Sequence, residues 1–242
     1  MKNYQLNYAS TRPQMYDAEG RKVKAQNIVN ILSSYFGRNK LKKMTVLDVG
    51  ASSGIIDSIV AKNVKNLTGI DIDSDAIKHA KSNYRTRNLK FINGDALNLD
   101  FKENTFDIVI CTHVYEHVEN PKKLFKEIYR VLRPNGICYL AAVNALWPIE
   151  PHYYLPFLSY LPKSIANIYL RIFTSKKIYY ETLFTYWRLK GLVLKTGFTI
   201  NDYTPNVLSE PKKLGFKHKR INKNISKLLK YFTPTFFWLL KK

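Results

Sequence analysis

Val46-Leu47-Asp48-Val49-Gly50-Ala51-Ser52-Ser53-Gly54 is an apolar run that closes on an acid and a glycine-bearing turn, and residues 55–62 then resume with helix-like spacing. Glycine lets a strand turn sharply into a helix and lets a ligand reach the backbone. Working outward, the apolar runs at 45–49, 67–70, 89–92, 106–111 and 137–143 read as five strands, with helical spacing between them. The helix at 74–84 is expected to start from Ser74 as its N-cap. Pro121 marks the start of another, whose buried stripe is Leu124, Ile128, Val131 and Leu132. Upstream, residues 14–36 form a helix with Ile28, Val29, Ile31 and Leu32 on its apolar face and Gly37 as its stop. Continuous apolar strands alternating with helices imply an α/β fold, a parallel sheet covered on both faces.

The chain has 242 residues, 45% of them hydrophobic, enough to build a core and to exclude intrinsic disorder. Its most apolar stretch, residues 153–173, is broken by Pro156, Pro162, Lys163 and Arg171, so a bilayer span is not expected. The N-terminal residues lack the apolar segment of a secretory signal, and two cysteines make no disulfide framework, which points to the cytoplasm. The net charge of +21 is uneven: residues 1–44, 45–144, 145–204 and 205–242 carry +7, +1, +4 and +9. A nearly neutral centre with basic flanks suits an anionic partner, while 29 lysines against 10 arginines also fit a purely solubilising role.

Asp48, Asp71 and Asp95 each close one of three successive strands, where open α/β sheets bind ligands. A carboxylate at Asp71, 23 residues after Asp48, can accept both hydroxyls of a ribose. The loop lacks G-x-G-x-x-G, and an acid at Asp48 suits a cationic ligand better than a pyrophosphate.

These segments, taken in order, resemble class I S-adenosylmethionine-dependent methyltransferases of the small-molecule type, akin to the ubiquinone-biosynthesis methyltransferases. Residues 47–54 resemble the family's first motif, Gly69-Ile70-Asp71 the second, Asn93-Gly94-Asp95-Ala96 the third and Phe106-Asp107-Ile108-Val109 the fourth. Residues 131–136 resemble the entry to its fifth strand, and Ser52 departs from the glycine most frequent there. The resemblance implies a Rossmann-like fold with a mostly parallel seven-stranded sheet. It further implies that Gly50, Ala51, Ser52 and Gly54 approach the cofactor's methionyl part, with Asp48 near its ammonium. Asp71 and Ile72 would hold the ribose, Asp95 and Ala96 the adenine, and Thr112 would lie beside the sulfonium. Asp73 and Asp75 read as dipole-favoured acids at a helix start.

The segment Cys111-Thr112-His113-Val114-Tyr115-Glu116-His117 leaves the fourth strand where reactivity should concentrate. His117 and His152 are the candidate general bases for a hydroxyl acceptor; a purely loop-ordering role for His117 competes with that reading. His113, Glu116 and His117, with His152 as a fourth ligand, have a spacing that can hold a divalent ion, as a Glu-x-x-Glu-His set does in some similar methyltransferases. The reading adopted assigns no metal, because many relatives carry such a histidine without one. Cys111 and Cys138 are expected as small buried hydrophobes.

Residues 147–162 form a proline-punctuated aromatic segment, whose Trp147, Tyr153 and Tyr154 are, together with His113 after the fourth strand, the candidate acceptor contacts. Residues 214–232 are expected to form a basic amphipathic helix, followed by a last strand at 233–240. The whole reads as one domain: an N-terminal helical cap (1–44), a cofactor-binding core (45–145), an aromatic lid (146–180) and a C-terminal part with a basic insertion (181–242). The expected activity is O-methylation of a glycan or lipid-linked small molecule at the inner face of a membrane. A nucleic-acid methyltransferase and a non-catalytic cofactor-binding protein are the alternatives, the former disfavoured by the absence of a recognisable RNA-binding module and by the lysine bias.

Overall fold

The structure, a computed structural model, describes residues 5, 6, 8, 9 and 12–242. Helix α1 (Ala18–Phe36) is capped by Asp17, whose side chain accepts from Gly20 N, and a short α2 (Arg38–Leu41) follows. Strand β1 (Thr45–Val49) leads into α3 (Ile55–Val60), β2 (Asn66–Asp71) into α4 (Ser74–Asn83), and β3 (Leu89–Asn93) into β4 (Phe106–Thr112). Helix α5 (Pro121–Val131) precedes β5 (Leu132–Val143). A small ribbon of β6 (Ile149–Glu150) and β7 (Leu155–Pro156) then leads to α6 (Lys163–Phe173) and α7 (Tyr186–Leu194). The chain closes with β8 (Thr199–Asp202), α8 (Thr204–Ser209), α9 (Pro211–Leu214), α10 (Lys223–Leu229) and β9 (Thr235–Lys241).

The seven-stranded sheet has the order β3-β2-β1-β4-β5-β9-β8, and β9 runs antiparallel to both its neighbours while the other pairings are parallel. Alternation along β1 shows how the sheet is covered. Val46 joins α1, α3 and α4 on one face, whereas Leu47 and Val49 join α5, α7 and Trp238 on the other. Gly54 sits at φ +77, and an added Cβ would meet Ala80 Cβ and Phe91 Cζ at 2.7 Å. It therefore secures close packing of α3 against α4 and β3. Cys111 and Cys138 are buried on adjacent strands, and burial pushes both thiols up.

Three local expectations change. Asp73, not Ser74, caps α4, accepting from Asp75 N and Ala76 N at 3.1 Å, because a carboxylate one residue earlier reaches both amides. Strand β5 begins at Leu132, with an irregularity opposite Asp107 before regular pairing resumes at Ile137. The tail helix expected over 214–232 is broken: Gly215 at φ +86 ends α9, and α10 has only seven residues before a 3-10 turn at Lys230–Phe232. Trp187 stacks on Tyr231 at 5.2 Å and Lys230 pairs with Asp202 at 3.1 Å, so this end is tied to the sheet edge.

Candidate functional site

A cavity of about 500 Å³ opens at the carboxyl ends of β1 to β4 and is closed from above by Gln5, Tyr8, Ala9 and residues of the segment after β5. Its floor is the turn after β1. Gly50 N and Ala51 N donate to Ile70 O at 2.8 and 3.1 Å, drawing the turn over β2. Gly50 has φ +89, and a Cβ there would strike Val114 Cγ2 at 2.6 Å. Ser52 also takes a left-handed φ of +51, which is why glycine suits this position so well. Ser52 N donates to Asp71 Oδ2 at 2.8 Å while Asp73 N donates to Asp71 Oδ1 at 2.9 Å, so Asp71 is fixed before any ligand arrives. Burial pushes its carboxyl up.

Beneath this floor lie Asp48 and Asp57, 3% and 0% exposed, two carboxyls that share a proton with each other, with no other side chain in hydrogen-bond reach of Asp48 Oδ1 or of either oxygen of Asp57 among the described residues. Burial raises both carboxyls above their usual range, with the neighbouring charge adding to the rise at Asp57. Arg21 from α1, itself buried, lines the cavity and supplies the facing positive charge; burial pulls its guanidinium down while Asp48, Asp57 and Asp71 push it up. At the far end Ile72, Gly94, Asp95 and Ala96 line the wall, with Asp95 Oδ1 accepting from Leu97 N at 2.8 Å.

The opposite wall is built from histidines and acids. Glu150 Oε1 lies 2.6 Å from His152 Nδ1, and Glu150 Oε2 accepts from His152 N and Tyr153 N at 2.7 and 2.9 Å. Burial pulls His152 down, but the Glu150 hydrogen bond and the charges of Glu150, Glu181 and Glu116 outweigh it and raise the imidazole. The His117 ring meets His152 edge to face with centroids 5.0 Å apart, and burial drives His117 down to about 3, so it is neutral at physiological pH. Glu116 and Glu181 are almost wholly buried. Glu116 lies 3.5 Å from His113 Nδ1; Glu181 lies 3.7 Å from Arg12 Nη2 and 3.9 Å from His117 Nδ1. Burial opposes ionisation of Glu116, but the hydrogen bond from His113 leads the effects that outweigh it and hold its carboxyl low. Glu116, His117 and His152 each offer one ligand atom, all within 4.8 Å of one another, a set able to grip a divalent cation.

Most of the residues expected at the site from the sequence converge here. Gly50, Ser52, Asp71, Ile72, Asp95 and Ala96 line the cofactor end, and Thr112, His113, His117, Trp147, His152 and Tyr154 line the rest. Asp48, Ala51 and Gly54 lie behind the lining, and Tyr153 packs away from it, beneath Arg12 and against Tyr179. Sequence reasoning missed Arg21, Asp57, Glu150 and Glu181. Glu150, two residues before His152, carried a local signal; the others are joined to the site only by the fold.

Comparison with known proteins agrees with this geometry. The family profile described as a methyltransferase domain matches residues 47–140. The ubiquinone biosynthesis O-methyltransferase of Rickettsia canadensis is 27% identical over 181 residues, covering 71% of this chain and 74% of that protein. Its namesake from Rickettsia typhi is 31% identical over 165 residues, 64% and 65% of the two chains. Among solved structures, a Pyrococcus horikoshii protein superposes with a TM-score of 0.67 over 97% of this chain and 98% of its own at 20% identity. An S-adenosylmethionine-dependent methyltransferase from Mesorhizobium loti superposes with a TM-score of 0.59 over 84% and 92% at 10% identity. A glycine turn, carboxylates at successive strand ends and this sheet order define the class. Residues 47–140 form a methyltransferase domain of the class I kind, and the protein is a methyl-transferring enzyme whose cofactor is S-adenosylmethionine. No helix of the described residues is long and apolar enough to cross a membrane.

Proposed function

We propose that the enzyme methylates a hydroxyl of a lipid-linked small molecule or glycan at a membrane surface, with His152 as general base and Glu150 holding it. The observation that carries this is the Glu150–His152 contact of 2.6 Å on the cavity wall. With Nδ1 engaged by a carboxylate, Nε2 is the ring nitrogen left to accept a proton from an acceptor hydroxyl. That the Rickettsia relatives are O-methyltransferases by name supports an oxygen acceptor.

The cofactor, when bound, supplies a methyl group already activated as a sulfonium, leaving the protein to align the acceptor and exclude water. The residues present fit it. Arg21, which lines the cavity, suits a carboxylate, and Asp48, buried just beneath the floor, favours an ammonium above it through its negative charge. Asp71 has lone pairs left for ribose hydroxyls, and Asp95 with Ala96 faces the position of the base. Trp147 and Tyr154 form the acceptor side, and the segment over 146–180 serves as the lid.

A second reading of the same wall is favoured by the compact Glu116, His117 and His152 set, which would bind a divalent ion and lower the acceptor's pKa through it. Elemental analysis of the purified enzyme separates the two: stoichiometric metal and loss of activity on chelation select the metal, and their absence leaves the base. The acceptor is tested by transfer of a radiolabelled methyl group into lipid, glycan and RNA fractions. Label in lipid or glycan is expected, and label confined to RNA would overturn the acceptor class.

A further inference from the structure

Helix α6 packs inward through Ala166 and Leu170, with Leu158 and Tyr179 as its buried partners. Its other face carries Ile165, Ile168 and Ile172, 51, 57 and 68% exposed, and their i, i+3, i+7 spacing sets them in one row. Phe173 and Phe157, 62 and 57% exposed, add aromatic surface to the same segment. Scattered exposed apolar residues are ordinary, but a contiguous apolar row on one helix marks a surface that is covered in use.

Charge indicates what covers it. Residues 157–180 contain four basic and no acidic side chains. Arg171, Lys176 and Lys177 are exposed at the C-terminal end of the row, and Arg171 is braced by its hydrogen bond to Lys177 O at 3.1 Å. Large apolar side chains edged by cations alone complement acyl chains beneath anionic headgroups. Tyr154, 76% exposed, belongs to both places, since it lines the cavity and lies three residues before Phe157. The basic tail also exposes Ile225, Leu228 and Phe232, at 51, 70 and 57%, but α10 spans only seven residues, and Lys230 and Tyr231 beside it are held by Asp202 and Trp187.

We infer that the α6 face docks the enzyme on an anionic lipid bilayer, inserting Ile165, Ile168, Ile172 and Phe173 and setting Arg171, Lys176 and Lys177 among the headgroups. The purpose of this docking rests on the lipid-linked acceptor proposed above; the surface itself rests on the exposed row and its charge.

The test is co-sedimentation of the full chain with vesicles of phosphatidylcholine alone or mixed with phosphatidylglycerol. The wild type is expected to partition at least about tenfold more strongly onto the mixed vesicles, and less so in high salt. The triple variant Ile165→Ser, Ile168→Ser, Ile172→Ser should lose about tenfold or more. Lys176→Gln with Lys177→Gln should lose severalfold, only at low salt. The tail variant Ile225→Ser with Leu228→Ser should bind as the wild type does. Retained S-adenosylhomocysteine binding by calorimetry certifies that the triple variant is folded; if it is not, the lysine pair and Ile172→Ser alone decide. The inference is overturned if the wild type fails to bind mixed vesicles, if the α6 variants bind unchanged, or if only the tail variant loses binding. It is equally overturned if the α6 variants dissociate a self-associated form of a protein that ignores vesicles, which would make a second copy the partner. Lipid labelling without vesicle binding refutes the docking face and spares the acceptor, and vesicle binding without lipid labelling does the reverse.

Discussion

Glu150 grips His152 twice, through the ring Nδ1 at 2.6 Å and the backbone N at 2.7 Å, so one buried carboxylate sets both the position and the tautomer of the imidazole. If His152 is the base, His152→Asn should lower turnover about 100-fold or more. Glu150→Gln should lower it less, since it keeps the geometry and loses the charge. Calorimetric affinity for S-adenosylhomocysteine should stay within about twofold in both, because neither residue belongs to the cofactor end. Equal turnover in His152→Asn and the wild type would refute the assignment.

Asp71 is a hub as well as a ligand, since it accepts the amides of Ser52 and Asp73. Asp71→Ala should weaken S-adenosylhomocysteine binding by about 1.5–3 kcal/mol, the range for hydrogen bonds to a charged group. It should also lower Tm, because two amides lose their acceptor. A folded variant with unchanged affinity would remove Asp71 from the ribose site.

The Asp48 and Asp57 carboxyls make binding and stability depend on pH. Burial raises Asp48 from its ordinary 3.8 to about 7, and it raises Asp57 well above its ordinary value, with the Asp48 charge adding to the rise. Asp71 adds negative charge near Asp48, Arg21 from α1 opposes both rises, and Cys111 on β4 faces Asp48 as a neutral thiol. An acid whose folded pKa is raised stabilises most below its unfolded pKa, and that contribution is lost as pH rises through the folded value. The cofactor-free enzyme should therefore lose Tm between about pH 4 and pH 7, and Asp57→Asn should flatten the slope. An ammonium beside Asp48 favours its ionised form, so affinity for S-adenosylhomocysteine should rise with pH and level off above about 7. Calorimetry across pH 5.5–8.5, about three units, checks this; a flat wild-type profile would refute it.

Ser52 holds φ +51 with a buried hydroxyl that lacks a partner among the described residues. Ser52→Gly should relieve about 1–3 kcal/mol of backbone strain against about 0.5–1 kcal/mol of added chain entropy. A net gain of about 1 kcal/mol corresponds to a Tm rise of about 2–4 °C for a domain of this size. A fall in Tm by thermal melt would show that the serine makes a compensating contact.

The sequence alone determined the strand and helix order from β1 to β5 and the glycine turn, because apolar period, caps and turn residues act over a few positions. It also put Asp71 and Asp95 at successive strand ends through their motifs and offered His152 from the aromatic segment, and the fold sets all three on one cavity. It could not pair Asp57 with Asp48, bring Arg21 from α1 beside them, or set Glu181 near His117, from which it is far removed in sequence, since those contacts exist only when separate elements pack. Nor could it say that residues 214–232 break at Gly215 while α6 keeps an open apolar face. Both segments are amphipathic and basic in sequence and both leave apolar side chains exposed, Leu228 as much as Ile172, but only the fold decides that α6 carries them in one unbroken row while the tail is cut into short turns.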